Sequence, residues 1–93
     1  MSKRKIIATS LFKRDLKRVK KQGKKVEKLI SVVNSLAEGK QLEERYKDHR
    51  LSGEYSDTRE CHIEPDWLLI YQIADEKLSL VLTRTGSHSE LFK

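Results

Sequence analysis

Cysteine occurs once in these 93 residues, at Cys61, so an internal disulfide is excluded. A lone cysteine favours a reducing compartment, and we expect a cytoplasmic protein. No apolar run reaches the roughly 18–20 residues that a membrane-spanning helix needs. The positively charged N-terminus also lacks the apolar stretch of a signal peptide. The length suits one domain with a modest core, which we place at residues 1–93.

Aromatic residues are also scarce, at 6% of the chain, whereas charged residues make up 37%. The charge is unevenly distributed. Residues 1–28 hold 12 lysines and arginines against 2 acidic residues, a net charge of +10, and the remainder has a net charge of −4. This asymmetry is typical of a protein that binds a polyanion or an acidic partner through its N-terminal part.

The N-terminal part contains a short strand and two amphipathic helices. Ile6 and Ile7 indicate a strand at Lys5–Thr9, and Ser10 is a plausible N-cap for the helix that follows. The first helix is predicted by apolar residues at Phe12, Leu16 and Val19. The second has a wider stripe, formed by Val26, Leu29, Ile30, Val33, Leu36 and Ala37. The short connection at Gly23 predicts an antiparallel hairpin with both apolar faces on one core. The basic outer face of the first helix, with Lys13, Lys17 and Lys20, can supply affinity for RNA but no proton-transfer group.

The C-terminal part reads as strands joined by short turns. The predicted strands lie at residues 51–55, 58–64, 67–74 and 77–85. The third is almost continuously apolar, so we expect it to be central and covered on both faces. The predicted order is β-α-α-β-β-β-β with a short C-terminal helix. This order describes an α+β domain, in which an antiparallel sheet packs against an N-terminal helix hairpin.

The end of the last strand carries the most distinctive polar residues. Gly86 permits a sharp turn, and Ser87 with Glu90 has the spacing of a capping box, so His88 begins a short helix. Arg84 follows Leu78, Leu80 and Leu82 at intervals of two, so simple alternation along the strand would place it on the same face as these leucines. Either both faces of that strand are partly covered, or a β-bulge changes the direction of Arg84.

Three chemistries are open to the polar residues of the C-terminal half. A metal site would use the histidines and Asp66, but their spacing fits no known zinc pattern. A nucleophilic pair of Cys61 with a histidine is weaker, and we read Cys61 as a small core residue. A metal-free phosphodiesterase of RNA needs two proton-transfer groups and a fixed cation. His49, His62, His88 and Asp66 could move protons, and Arg84 could bind the phosphate.

Two aromatic side chains are candidates for base stacking. Trp67 could stack on a base or lie in the core of the sheet, and Phe92 could stack or close the edge of the core. The residue pattern alone does not exclude a pure RNA-binding or protein-binding module.

Three segments together resemble the YafQ family of toxins from bacterial type II toxin–antitoxin modules, within the RelE/ParE superfamily. They read YKDHRLSG from Tyr46, RECHIEPDWLLIY from Arg59, and RTGSHSELF from Arg84. The resemblance is specific in residues 46–92, and in residues 1–40 it rests only on the order of elements.

The resemblance implies a RelE-like microbial ribonuclease fold and ribosome-dependent cleavage of mRNA, with no metal or other cofactor. His88 matches the principal catalytic histidine, usually a general acid. His49, His62 and Asp66 match accessory positions, with Asp66 a candidate general base, and Arg84 matches the phosphate-stabilising arginine. Trp67 and Phe92 match positions that support the site or the substrate.

The resemblance also implies a partner: a cognate antitoxin, usually in a heterotetramer that binds DNA through the antitoxin. The alternative function is a non-catalytic toxin or binding module on the same scaffold, such as the ParE branch, which acts on DNA gyrase. A binding module would not need His49, His62 and His88 around one turn.

Overall fold

The computed structural model describes residues 3–53 and 57–92. Two helices, five strands and a short C-terminal helix follow one another in nearly the predicted order. They are β1 (Lys5–Ala8), α1 (Ser10–Lys21), α2 (Val26–Ala37), β2 (His49–Arg50), β3 (Arg59–Glu64), β4 (Trp67–Ala74), β5 (Ser79–Gly86) and α3 (His88–Leu91). Single 3₁₀ turns lie at Glu44–Tyr46 and Asp75–Lys77. The strand expected at residues 51–55 is instead the two-residue β2, and residues 54–56 lie outside the described part.

The five strands form one sheet in the order β1-β5-β4-β3-β2. Strands β2 to β5 pair antiparallel, but β1 pairs parallel to β5. The expectation of a wholly antiparallel sheet was therefore wrong at this edge. Both helices and three strands separate β1 from β5, and a connection of that length allows either direction.

Helix α1 begins at Ser10, the residue that was predicted to be its N-cap. Thr9, not Ser10, is the N-cap: its Oγ1 accepts a hydrogen bond from the Phe12 amide at 3.0 Å. The same hydroxyl donates to the carbonyl of Thr83 at 2.8 Å. Thr9 therefore ties the start of α1 to β5.

The main core lies between the two helices and one face of the sheet, as the hairpin prediction required. Phe12 and Val19 of α1 meet the apolar face of α2 and residues of β3, β4 and β5. One position of α2 was predicted wrongly, because Ile30 is 52% exposed and Val32 is buried instead. Ile30 and Val32 lie at opposite edges of the wide apolar stripe on α2. A small rotation of the helix about its axis therefore exposes one of them and buries the other.

Strand β4 is covered on both faces, as its continuous apolar run predicted. Trp67, Leu69 and Tyr71 belong to the main core. Leu68 and Ile70 form a second, smaller cluster with Leu91 of α3 on the opposite face. This second face also carries Glu60 and His62, which pair with Ile70 and Leu68. None of the helices in the described ranges is long and apolar enough to cross a membrane.

Candidate active site

Strand pairing places several predicted site residues on the face of the sheet opposite the main core. His49, Glu60, Ile70 and Arg84 are register partners across β2, β3, β4 and β5. His62 pairs with Leu68 in the next row, and Leu68 pairs with Gly86. Directly paired residues project from the same side of a sheet. Residues far apart in the chain thus reach the same surface, where α3 begins.

The short helix α3 presents His88 as its first residue. The predicted capping box is present: Ser87 Oγ accepts from the Glu90 amide, and Glu90 Oε1 accepts from the Ser87 amide at 2.8 Å. Glycine suits position 86, since its φ of +156° is a conformation that other residues rarely adopt, and a Cβ atom there would lie 2.6 Å from Arg18 Nη2, which would have to move. The prediction of a capped turn that fixes His88 is confirmed.

Asp66 holds His88 by two contacts. Asp66 Oδ1 accepts from the backbone amide of His88 and lies 3.0 Å from its Nδ1. The backbone hydrogen bond, followed by the side-chain hydrogen bond from His88, lowers the pKa of Asp66. The carboxylate is therefore ionised at neutral pH and accepts the Nδ1 hydrogen, so that Nε2 is left for chemistry.

The three histidines, scattered over 40 positions of the sequence, form one cluster. Ring centroids are 6.4 Å apart for His49 and His62, and 5.6 Å apart for His62 and His88. His49 Nδ1 lies 2.7 Å from the Lys47 carbonyl, and His62 Nδ1 lies 3.3 Å from the Pro65 carbonyl. A carbonyl only accepts, so Nδ1 carries the hydrogen and Nε2 of each neutral ring presents a lone pair.

Glu60 is a site residue that was not predicted from the sequence. It is only 4% exposed, and its Oε1 lies 3.4 Å from His62 Nε2 and 3.7 Å from His49 Nε2. A carboxylate in this position stabilises a proton taken up by either ring. The signal was available, because strand alternation puts Glu60 and His62 on the same side of β3.

The segment that carries His49 is anchored by its neighbour. Tyr71 Oη donates a short hydrogen bond to Asp48, and Arg59 Nε and Nη2 donate to the same carboxylate at 3.3 and 3.2 Å. Burial, with a smaller contribution from Asp48, raises the pKa of Tyr71, so its hydroxyl stays protonated and donates. These contacts fix β2 against β3 and β4.

Arg84 follows a β-bulge, which decides between the two alternatives left open by its parity. The pairing of β4 with β5 shifts between Ile70–Arg84 and Tyr71–Leu82, so Thr83 is the extra residue. Arg84 donates from Nε and Nη2 to Asp15 of α1, each at 2.9 Å. Asp15 is a second site residue that was not predicted from the sequence. It is the one acidic residue in a helix rich in lysine and arginine, and the sequence does not show which groups it contacts.

The predicted binding residues have different surroundings. Base stacking by Trp67 is contradicted, because its side chain is 0% exposed and donates from Nε1 to Thr85 Oγ1 at 2.9 Å. Phe92 is 39% exposed, with its ring centroid 6.4 Å from that of His88, a position open to stacking. Three lysines lie exposed on α1, as expected: Lys13, Lys17 and Lys20.

Cys61 takes no part in this cluster. It is fully buried in the main core, as predicted. Burial, with smaller effects of Asp48 and Glu60, raises the pKa of its thiol to about 12. A thiol that remains protonated at neutral pH is a poor nucleophile, which disfavours the Cys–His alternative.

The cluster also has the donor set of a metal site. Ligand atoms of Glu60, His62 and His88 all lie within 4.8 Å of one another. Two imidazole nitrogens and one carboxylate oxygen suit a borderline transition metal such as Zn²⁺ or Cu²⁺. Sequence spacing alone did not find this set, since the three residues come from two separate elements.

Known proteins resemble this chain over its full length. Residues 4–93 match the family described as a bacterial toxin of type II toxin–antitoxin system, YafQ. The mRNA interferase toxin YafQ of Escherichia coli K12 is 37% identical over 93 residues, covering 99% of both chains. A metal-bound toxin from Helicobacter pylori superimposes with a TM-score of 0.90 at 46% identity, covering 96% of this chain and 99% of the other. The toxin of the E. coli DinJ–YafQ toxin–antitoxin complex superimposes with a TM-score of 0.89 at 36% identity, covering 98% and 99%. This chain therefore belongs to the YafQ family of bacterial type II toxin–antitoxin toxins.

Proposed function

We propose that this toxin is an mRNA interferase, an endoribonuclease that cuts mRNA on the ribosome and so stops translation. The observation that carries the proposal is the convergence of His49, His62 and His88, each held through Nδ1 so that Nε2 is left for proton transfer. The relative named as an mRNA interferase toxin supports the same activity. We place the activity in one domain, residues 1–93, acting in the bacterial cytoplasm.

The proposed reaction uses the substrate's own 2′-hydroxyl as nucleophile. Its oxygen forms a bond to phosphorus while the bond from phosphorus to the 5′-oxygen breaks, giving a 2′,3′-cyclic phosphate and a 5′-hydroxyl end. His62 Nε2 accepts the proton of the 2′-hydroxyl, and the buried Glu60 carboxylate stabilises the imidazolium that forms. His88 Nε2 donates a proton to the departing 5′-oxygen. His49, which shares Glu60 with His62, is an accessory proton-transfer group.

Arg84 and Asp66 complete this assignment. Arg84 stabilises the negative charge that develops on the phosphorane. Asp66 orients His88, since its Oδ1 already accepts two hydrogen bonds from that residue. This role replaces the general base suggested by resemblance, because a carboxylate that holds the acid in place is poorly available to the 2′-hydroxyl.

We propose a cognate antitoxin as partner, by analogy with the DinJ–YafQ complex. The net charge of +10 on residues 1–28 favours an acidic antitoxin segment on this part of the toxin. The expected assembly is a heterotetramer that binds DNA through the antitoxin.

The direct test is primer extension on a reporter mRNA, using purified toxin with and without translating ribosomes. We expect discrete cuts that appear only with ribosomes and end in a cyclic phosphate. Growth arrest without any mRNA cut would overturn the proposal and favour the gyrase-type or another binding function.

Replacing Lys13, Lys17 and Lys20 together by alanine should weaken ribosome binding. Each phosphate contact contributes roughly 0.7–0.9 to the slope of log affinity against log salt concentration, so the slope should fall by about 2–3. Filter binding at several salt concentrations measures it. The matched control removes three exposed lysines outside α1: Lys5, Lys40 and Lys77. Equal slopes for both triple variants would show that this face of α1 does not meet RNA.

Zn²⁺ should inhibit cleavage without being required for it. The donor set of Glu60, His62 and His88 would hold the ion, and the ion would occupy the ring nitrogens needed for proton transfer. One solved relative is described as a metal-bound toxin. Toxin stripped with a chelator and dialysed should cut at the full rate, and micromolar Zn²⁺ should suppress that rate. Loss of activity on stripping and recovery with Zn²⁺ would instead make the metal part of the reaction.

A further inference from the structure

Asp15 is a buried carboxylate that the proposed reaction does not use. It is the single acidic residue of α1, and it is 2% exposed although the helix is otherwise rich in lysine and arginine. A buried carboxylate is costly unless hydrogen bonds and opposite charges compensate for lost water. Its surroundings therefore indicate what it holds.

The two oxygens of Asp15 accept hydrogen bonds from three residues. Arg84 donates from Nε to Oδ2 and from Nη2 to Oδ1, and this bidentate pair fixes the plane of the guanidinium. The backbone amide of Thr85 donates to Oδ2 at 3.2 Å, and Arg18 Nη1 donates to Oδ1 at 3.0 Å. Two of the three donor residues thus hold the carboxylate independently of the Arg84 side chain.

Asp15 keeps its charge under ordinary conditions. Burial alone would raise the pKa of this carboxyl, but the hydrogen bonds from Arg84 and Thr85 and the charges of Arg84 and Arg18 outweigh it, and the pKa is lowered. An ionised carboxylate is consequently available to Arg84 at neutral pH.

A competing carboxylate lies on the same face of the sheet. Arg84, Ile70 and Glu60 are register partners on three adjacent strands, so Glu60 is two strand spacings, about 10 Å, from Arg84. A long arginine side chain can extend over much of that distance. An Arg84–Glu60 pair would take the Glu60 carboxylate away from His62 and His49.

We propose that Asp15 is the positioning residue of Arg84, holding its guanidinium against α1 and away from Glu60. The substrate then meets a cation that is already ordered, so the phosphate does not have to order a flexible arginine during the reaction. This role rests on the proposed nuclease function.

The test is a double-mutant cycle of Asp15→Asn and Arg84→Ala, measured by single-turnover mRNA cleavage at saturating and limiting toxin. Asp15→Asn should lower the maximal rate about 10–100-fold, with little change in the half-saturating concentration. In the Arg84→Ala background it should cost less than about twofold, because its effect passes through Arg84. Arg18→Lys is the control: it perturbs another partner of Asp15 and should retain the wild-type rate.

A maximal rate unchanged by Asp15→Asn, or lowered equally in both backgrounds, would overturn the inference. A second measurement needs neither a variant nor catalysis: hydrogen exchange at the Arg84 Nε–H by NMR. We expect exchange at least about tenfold slower than at the exposed Arg14. Equal exchange at both arginines would overturn the inference even if Asp15→Asn does not fold. If wild-type toxin cuts no mRNA but protects the Arg84 Nε–H, the nuclease function fails while the Arg84–Asp15 pair remains supported.

Discussion

Replacing His88 by alanine should reduce mRNA cleavage by roughly 10²–10⁴-fold, the usual contribution of a positioned proton-transfer group. The fold should survive, because His88 is exposed at the start of a one-turn helix and its backbone amide can still donate to Asp66. The expected loss of stability is about 0.5 kcal/mol or less, typical of surface substitutions. Primer extension gives the cleavage rate, and circular dichroism with urea unfolding gives the stability.

The control for His88→Ala is Ser89→Ala, an exposed change on the next residue of α3. It should leave both the rate and the stability unchanged. A His88→Ala protein that is folded and still cuts at the wild-type rate would remove His88 from the reaction. The general acid would then have to be sought at His62 or His49.

Replacing Trp67 by alanine should destabilise the protein by about 3–5 kcal/mol, the usual cost of truncating a fully buried large aromatic residue. The indole lies in the main core, and its Nε1–H donates to Thr85 Oγ1, which in turn donates to the Leu68 carbonyl at 2.7 Å. Stability of small domains is about 5–15 kcal/mol, so this single change could leave much of the protein unfolded.

Trp67→Phe separates the hydrogen bond from the packing. It retains most of the apolar volume and should cost about 1–2 kcal/mol, since Thr85 Oγ1 loses one partner but keeps the other. Unfolding must be followed by circular dichroism, because Trp67 is the single tryptophan and its fluorescence is lost in both variants. Phe92→Ala is the exposed-aromatic control. If Trp67→Ala were no more destabilising than Phe92→Ala, the burial of the indole would be in doubt.

The elements of this fold were predictable wherever one local pattern was strong. The apolar spacing in α1 and α2, the continuous apolar run of β4 and the capping box at Ser87 each reflect interactions within a few residues. These interactions depend little on the rest of the molecule, so the elements formed where expected. Errors arose where two local solutions had nearly equal energy, as for Ile30 and Val32 on α2 or Thr9 and Ser10 at the cap.

The site was predictable in its histidines and Arg84, but not in the acidic residues beside them. Sequence patterns and family resemblance selected His49, His62, His88 and Arg84 because those residue types carry recognisable chemistry. Glu60 and Asp15 resemble ordinary solvated acids in the sequence. Their importance comes from burial and from which cations they meet, and both are properties of packed elements.

The amino-acid sequence by itself determined the helices, most of the strands, the basic N-terminal part and the family of this toxin. Periodicity, caps and short motifs depend on residues that are close together in the chain, so they can be recognised in the sequence alone. Tertiary structure decided the parallel pairing of β1, the bulge before Arg84 and the burial of Trp67. It also decided which groups contact the buried carboxylates of Asp15 and Glu60. These features join residues up to about 70 positions apart, and their energies exist only once strand register and helix packing bring the groups together.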